Sequence, residues 1–359
     1  MRYSAASLRP IKDAHASGLR LNIGKLIPRW KGVTIGGDVH LATYREKAMI
    51  RQLLFALLIG SFLSSVSNAE PRKFARYRVG NKIAYGIVDG ERIQEIEGNL
   101  FYQWKKTDRS YALKEVKLLV PSEPRHVFAM AGNYENHIND GTTTAIITTT
   151  SKVSSNPKTG ETTTETKVEE EVRIAGQVPE LFKTPQPFFK SPSSLTANDT
   201  NVVIPKDAGV VHYEAELVIV IGRTCKDVSK QEAADYVFGV TCGNDVSARV
   251  WQKGDVQWWR AKASDTFGPC GPFIVTGLDY DNLKITLRQN GEVKQDDNTK
   301  HLIHDVASCV SFISKHITLQ PGDMIFTGTP GKTAEIKAGD VLEVEIEGVG
   351  VLRNKVVAE

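Results

Sequence analysis

The chain has 359 residues, 41% of them hydrophobic and 24% charged, enough for one large globular domain or two modest ones. Its formal net charge of +3 is unevenly spread: residues 1–69 carry ten Lys/Arg and three Asp/Glu (+7), which leaves 35 and 39 (−4) for the rest. The basic excess belongs to the N-terminal segment, and the mildly acidic body argues against a nucleic-acid partner.

Residues 1–48 show no sustained apolar period and are not read as a domain. The stretch 49–69, MIRQLLFALLIGSFLSSVSNA, has the three-part layout of a secretory signal peptide: Arg51, an apolar core over 53–63, then the small residues Ser67 and Ala69 before Glu70. The core is short for a membrane span, which needs about 20 apolar residues. The expectation is that translation starts at Met49, that residues 1–48 are untranslated or without order, and that the mature protein, 70–359, is periplasmic or secreted and free of the membrane. A buried apolar helix or an uncleaved anchor is the alternative for this stretch, and a cytoplasmic location the alternative for the protein.

Residues 70–120 read as a small β-rich N-terminal domain. FARYRV, KIAYGIV and RIQEIE are short alternating runs, with Gly80-Asn81 and Asp89-Gly90 as hairpin signals. The main body, 121–359, follows. Within it, 141–180 is compositionally foreign: eleven threonines fall between Thr142 and Thr166. Two β-prone polar runs flank the turn-rich SNPKTG, which predicts an exposed two-stranded arm, with disorder as the alternative. Beyond Phe188 the chain is dense in strand candidates. Helices are expected at 229–236, where Ser229 and Glu232 form a capping-box signal, and at 303–316. Many strands and few helices predict a mostly β, α+β body. Cys225, Cys242, Cys270 and Cys309 show no metal-type spacing and read as small buried apolar residues, a disulfide being open only to an exported protein.

The segment His212-Tyr213-Glu214-Ala215-Glu216-Leu217 through Ile221 carries the most chemistry. At strand period two, Tyr213, Ala215, Leu217, Ile219 and Ile221 share one face, and Glu214 and Glu216 share the other with Val218 and Val220. Adjacent carboxylates running into an apolar strand repel each other and resist burial, and a cation removes both problems. Two solvent-facing glutamates on an edge strand are the plain alternative. The segment 239–249 ends a strand candidate at Asn244-Asp245-Val246-Ser247-Ala248-Arg249 and offers Asp245 as a third oxygen ligand. Three carboxylates without a Cys/His cluster select a hard ion, Mg²⁺ first, with Mn²⁺ and Ca²⁺ as alternatives.

HYEAELVIVIG, GNDVSARVWQ, WWRAKASDTFGPCGP, GDMIFTGTP and KAGDVLEVEIEGVGVLRN, in this order and spacing, resemble the fumarylacetoacetate hydrolase family over about two thirds of the chain. Its acylpyruvase, oxaloacetate decarboxylase and hydroxyhepta-dienedioate isomerase members are nearest in pattern. The resemblance implies a mixed β-sheet roll, a homodimer, and a divalent-metal-dependent hydrolase or lyase that breaks a C–C bond in a 2-oxo acid or 1,3-dicarbonyl through an enolate. Decarboxylation or isomerisation on the same apparatus, or a non-catalytic exported binding module, are the competing readings.

By the same resemblance Glu214, Glu216 and Asp245 bind the metal, and Lys262 stabilises developing negative charge. Arg249, Gln252 and Thr329 contact the substrate. The lid segment Ala131-Gly132-Asn133-Tyr134-Glu135-Asn136-His137 supplies His137, with Asp140 as the acid that orients it for water activation. Three departures stand out. Asp140 replaces a Glu, Val250 stands where an Asp is common after Ser-Ala-Arg, and the Thr-rich insertion follows the lid directly.

Overall fold

The computed structural model describes residues 70–138, 144–155, 162–173 and 177–359. The signal-peptide reading of 49–69, the reading of 1–48 and the role given to Asp140 fall outside these residues. Among the described residues no helix is long and apolar enough to cross a membrane.

The architecture is mostly β, with two large sheets. The first is twelve-stranded. Three tight antiparallel connections join Arg72–Val79, Lys82–Asp89, Arg92–Gly98 and Trp104–Ala112 at one end. The hairpin signals act as read: Val79 pairs with Lys82 across Gly80-Asn81, and Asp89 with Arg92 across Gly90-Glu91. This meander is continuous with the body, because Arg72–Val79 pairs antiparallel with Gly268–Thr276. The sheet then runs through Val237–Asn244, Ala215–Ile221, Met324–Phe326, Val127–Met130 and Pro187–Lys190. The second sheet has five strands in the order Asn201–Ile204, Gly350–Ala358, Val341–Ile346, Lys284–Gln289, Glu292–Asn298.

The core sits between the two sheets and continues over the far face of the first. Ala215, Leu217, Ile219 and Ile221 pack in one cluster with Ile285, Leu287, Leu342 and Val344 of the five-stranded sheet and with Val306, Val310 and Ile313 of the helix Val306–His316. Val218 and Val220 point the other way, into a cluster with Phe74, Ile274 and Phe326. The alternation expected at this strand is therefore present, and both faces are buried, as its unbroken apolar run requires. The long helix begins three residues later than expected, because Asp305 caps it by accepting from the Ser308 N–H, while Ile303 and His304 are held by Asn133 instead. Ser229 and Glu232 form the capping box at Lys230–Ala233, and a 3₁₀ turn carries that helix to Tyr236. The insertion forms the two-stranded antiparallel hairpin of Thr144–Ser155 with Thr162–Arg173, twelve residues on each side in register. All four cysteines are free and buried.

Candidate active site and metal centre

The site lies where the central strands of the large sheet end. Glu216 belongs to Ala215–Ile221, while Glu214 sits one residue before that strand. The ladder there is taken over by other groups: the Glu214 N–H donates to Asn244 Oδ1, and the Asp245 N–H donates to the Glu214 carbonyl. Those two bonds turn Asp245 toward the glutamates at the end of Val237–Asn244. Oxygens of Glu214, Glu216 and Asp245 come within 4.8 Å of one another, and all three residues are buried. Oxygens around a hard cation at about 2.0–2.6 Å from it are spaced up to about 5 Å apart, so the set fits such an ion.

The cationic side chains meet the carboxylates unequally. Lys262 Nζ donates to Glu214 Oε2 at 2.6 Å and to Asp245 Oδ2 at 2.7 Å. Arg249 Nη2 lies 2.6 Å from Glu214 Oε1. Burial pushes the Glu214 carboxyl up, but Lys262 and Arg249 outweigh it and hold the group well below the usual carboxylate range. Burial likewise disfavours the Lys262 ammonium, yet Asp245 and Glu214 outweigh it and raise that group. Among the described residues, Glu216 has only the Gly328 N–H, at 2.7 Å. Burial, then Asp245, then Glu214, push its carboxyl well above the ordinary value. A buried carboxylate with two carboxylate neighbours and one amide donor is the electrostatic imbalance that a divalent cation corrects.

His137 lines the same cavity, as do Arg249, Gln252 and Thr329. Its Nδ1 is 2.7 Å from the Gly331 carbonyl. A carbonyl only accepts, so Nδ1 carries the proton and Nε2 is left as the basic nitrogen. The group seen orienting the imidazole is thus a backbone carbonyl, and the orienting role expected of Asp140 concerns a residue outside those described. Arg249 Nη1 donates to Gln252 Oε1 at 2.8 Å and Nη2 to Thr333 Oγ1 at 2.7 Å, which fixes the guanidinium plane. The Thr329 hydroxyl accepts from Gln295 Nε2 at 2.9 Å, and Gln295 Oε1 in turn takes the Ala215 N–H.

Lys190 was not singled out from the sequence. Its side chain is fully buried, and Nζ donates to Asp245 Oδ1 at 2.6 Å, to the Phe267 carbonyl at 3.2 Å, and to the Lys262 carbonyl. The sequence shows only a lysine closing the strand candidate FFKSP. A lysine amid aromatics is a weak sign of burial, because nothing local names the partner. Gln295 and Thr333 gave no sign at all.

Comparison with known proteins agrees with this geometry. Residues 155–357 match the fumarylacetoacetate hydrolase C-terminal family, and residues 72–121 match the Rv2993c-like N-terminal family. The chain belongs to the fumarylacetoacetate hydrolase family. Protein Rv2993c of Mycobacterium tuberculosis is 37% identical over 285 residues, covering 77% of this chain and 94% of its own. Among solved structures, 2-hydroxyhepta-2,4-diene-1,7-dioate isomerase from Mycobacterium marinum superposes with a TM-score of 0.65 at 35% identity, over 80% of this chain and 99% of that one. Maleylpyruvate hydrolase from Sphingobium sp. SYK-6, solved with manganese(II) and pyruvate, gives a TM-score of 0.57 at 26% identity, over 80% and 99%. A metal-dependent enzyme of this family is the common denominator, and the relatives differ in the reaction they perform.

Proposed function

We propose that this protein is a divalent-metal-dependent hydrolase or lyase that cleaves a C–C bond in a 2-oxo acid or 1,3-dicarbonyl compound. The observation that carries the reading is the buried triad Glu214, Glu216 and Asp245, of which Glu214 and Glu216 line a cavity together with Lys262, Arg249 and His137. Mg²⁺ is the first choice of ion on the all-oxygen ligand set, with Mn²⁺ and Ca²⁺ as alternatives. When bound, the ion supplies Lewis acidity to substrate oxygens and balances the three carboxylates.

The chain's own groups do the rest. Arg249 and Gln252 present a fixed donor pair to a carboxylate or carbonyl end of the substrate. Lys262 has three N–H donors, two of them spent on Glu214 and Asp245, so the third is free for a substrate oxygen that gains negative charge. His137 Nε2 accepts a proton from water as the water oxygen attacks the distal carbonyl carbon. The C–C bond then breaks, its electron pair passes to the 2-oxo acid fragment, and the proton is returned there. Without water activation the same groups support decarboxylation or isomerisation, the reaction type in the name of the Mycobacterium marinum relative. A homodimer and export with cleavage after Ala69 complete the proposal. Light scattering tests the first, and N-terminal sequencing of the native protein the second.

The test is turnover of acylpyruvates and oxaloacetate by the purified protein, with Mg²⁺ or Mn²⁺ and with chelator. Metal-dependent cleavage that His137→Ala removes supports hydrolysis. Decarboxylation or tautomerisation that survives His137→Ala moves the protein to the alternative reactions. Tight metal binding with no turnover of any 2-oxo acid favours a binding module and refutes the enzyme reading.

A further inference from the structure

We infer that the preferred substrate is a monocarboxylic 2-oxo acid with an apolar tail, rather than an oxo-dicarboxylate. The inference rests on the 2-oxo acid reading above and narrows it. Two observations carry it independently.

The first is the wall of the cavity. Its volume is about 210 Å³, and Met130, Ile138, Phe182, Phe188 and Trp258 line it beside the polar groups. The three aromatic residues are held in place. Phe188 and Trp258 meet edge to face with centroids 5.4 Å apart. Phe182 lies directly over Gly132, where a β-carbon would collide with its ring, and the Phe182 carbonyl is tied to His304 Nε2 at 2.9 Å. Among the described lining residues the full positive charges are Lys262 and Arg249; both are bonded to Glu214, and their remaining donors are the ones assigned above to the 2-oxo acid's own carboxylate and oxyanion. A second carboxylate on the substrate tail would meet aromatic and aliphatic carbon without a cation of its own, an arrangement that desolvation penalises.

The second is the charge count. With a metal bound and all three carboxylates ionised, Glu214, Glu216 and Asp245 contribute −3, and Lys190, Lys262 and Arg249, each bonded to at least one of them, contribute +3. A divalent cation brings the centre to +2. One substrate carboxylate and one carbonyl oxygen that becomes negative bring it back to zero. A second carboxylate leaves an uncompensated negative charge in a buried site.

The test is binding, read apart from turnover. The Mn²⁺-loaded protein is titrated with 2-oxohexanoate, 2-oxo-4-phenylbutanoate and 2-oxoadipate, following tryptophan fluorescence and calorimetry. 2-Oxohexanoate is expected to bind at least about tenfold more tightly than 2-oxoadipate of equal chain length, since an unpaired buried charge outweighs one hydrogen bond. Extending the apolar tail within the cavity should add roughly fourfold per methylene. In Phe182→Arg the order should narrow or reverse, because the new cation pairs with the second carboxylate. Equal or tighter binding of 2-oxoadipate by the unsubstituted protein overturns the inference and leaves the 2-oxo acid reading standing. If Mn²⁺ binds but none of the three acids does, both fall.

Discussion

Replacing Glu216 with Gln separates the metal-free stability of the site from its affinity for an ion. Among the described residues no cation lies within bonding distance of Glu216, and its oxygen lies within 4.8 Å of oxygens on Glu214 and Asp245. At that separation and an effective dielectric constant of about 20, each like-charge pair costs about 3.5 kcal/mol when both groups are ionised. Lys262 offsets part of this and protonation of Glu216 another part, so the relief expected from a neutral amide of the same shape is about 1–3 kcal/mol near pH 8. For a protein of this size that is roughly 3–10 °C in Tm. The metal response should move in the opposite sense. An ion at a hundred times its Kd stabilises the native state by about 2.7 kcal/mol, and loss of one of three anionic ligands should abolish that gain at the same concentration. The assay is a thermal melt of both proteins with chelator and with Mn²⁺. The unsubstituted protein should melt low without metal and high with it, and Glu216→Gln should melt at one intermediate or higher temperature in both. A variant that melts lower than the unsubstituted protein in chelator, or that keeps the full Mn²⁺ shift, refutes the assignment of Glu216 as an unbalanced metal ligand.

Four further outcomes follow from the same geometry. His137→Ala should lower kcat by about 10²–10⁴-fold while leaving Mn²⁺ affinity by calorimetry unchanged, because the imidazole acts on water and not on the ion. Lys190→Met should destabilise the protein by about 3–5 kcal/mol in urea unfolding, since it strips a fully buried partner from Asp245. Raising the pH should tighten metal binding with release of protons, measured by calorimetry in buffers of different ionisation heat. The Glu216 proton, retained in the metal-free fold above the ordinary carboxylate range, must leave, and the same retention makes metal-free stability fall as pH rises through that raised value, whereas the Glu214 contribution is lost on acidification. Thr333→Val should raise KM by roughly fivefold with little change in kcat, because Arg249 loses an acceptor worth about 1 kcal/mol of orientation.

How much of this was legible in the sequence depended on the range of the interactions involved. The strand around Glu214 and Glu216 announced itself because period two divides its residues between two buried faces, and one residue list predicts both clusters. The hairpins at Gly80 and Gly90 were legible because turn chemistry is local, with both glycines at positive φ. The capping box at Ser229 was legible for the same reason. The long helix was placed three residues early because the apolar period ignores what Asn133, 171 residues away, does to His304. Lys190 illustrates the general limit. Its partners Asp245, Lys262 and Phe267 lie 55, 72 and 77 residues along the chain, and no pattern within a strand reports a carbonyl cage assembled from elsewhere. The triad itself became persuasive only when several motifs were read together, since three acids in two segments acquire meaning through a shared cation.

The segment 328–333 shows why the parts of this site are expected to act together. The Gly328 N–H holds Glu216, and the Thr329 hydroxyl is held by Gln295, which also holds the Ala215 N–H beside the triad. The Gly331 carbonyl orients His137, while its N–H donates to Asn136 on the same lid turn at 2.9 Å. The Thr333 hydroxyl then positions Arg249. One six-residue turn thus touches Glu216, His137 and Arg249, the proposed metal ligand, base and substrate guanidinium, through a different residue for each. Its path is dictated sterically: Gly328 adopts φ +99°, and a β-carbon there would lie 2.8 Å from that of Asn133. Asn133 in turn donates to the Thr327 carbonyl and opens the lid segment. Asn133, Asn136 and His137 thus bind the turn and the residue before it through three hydrogen bonds. Substitutions within 328–333 are therefore expected to disturb His137, Glu216 and Arg249 together rather than one at a time.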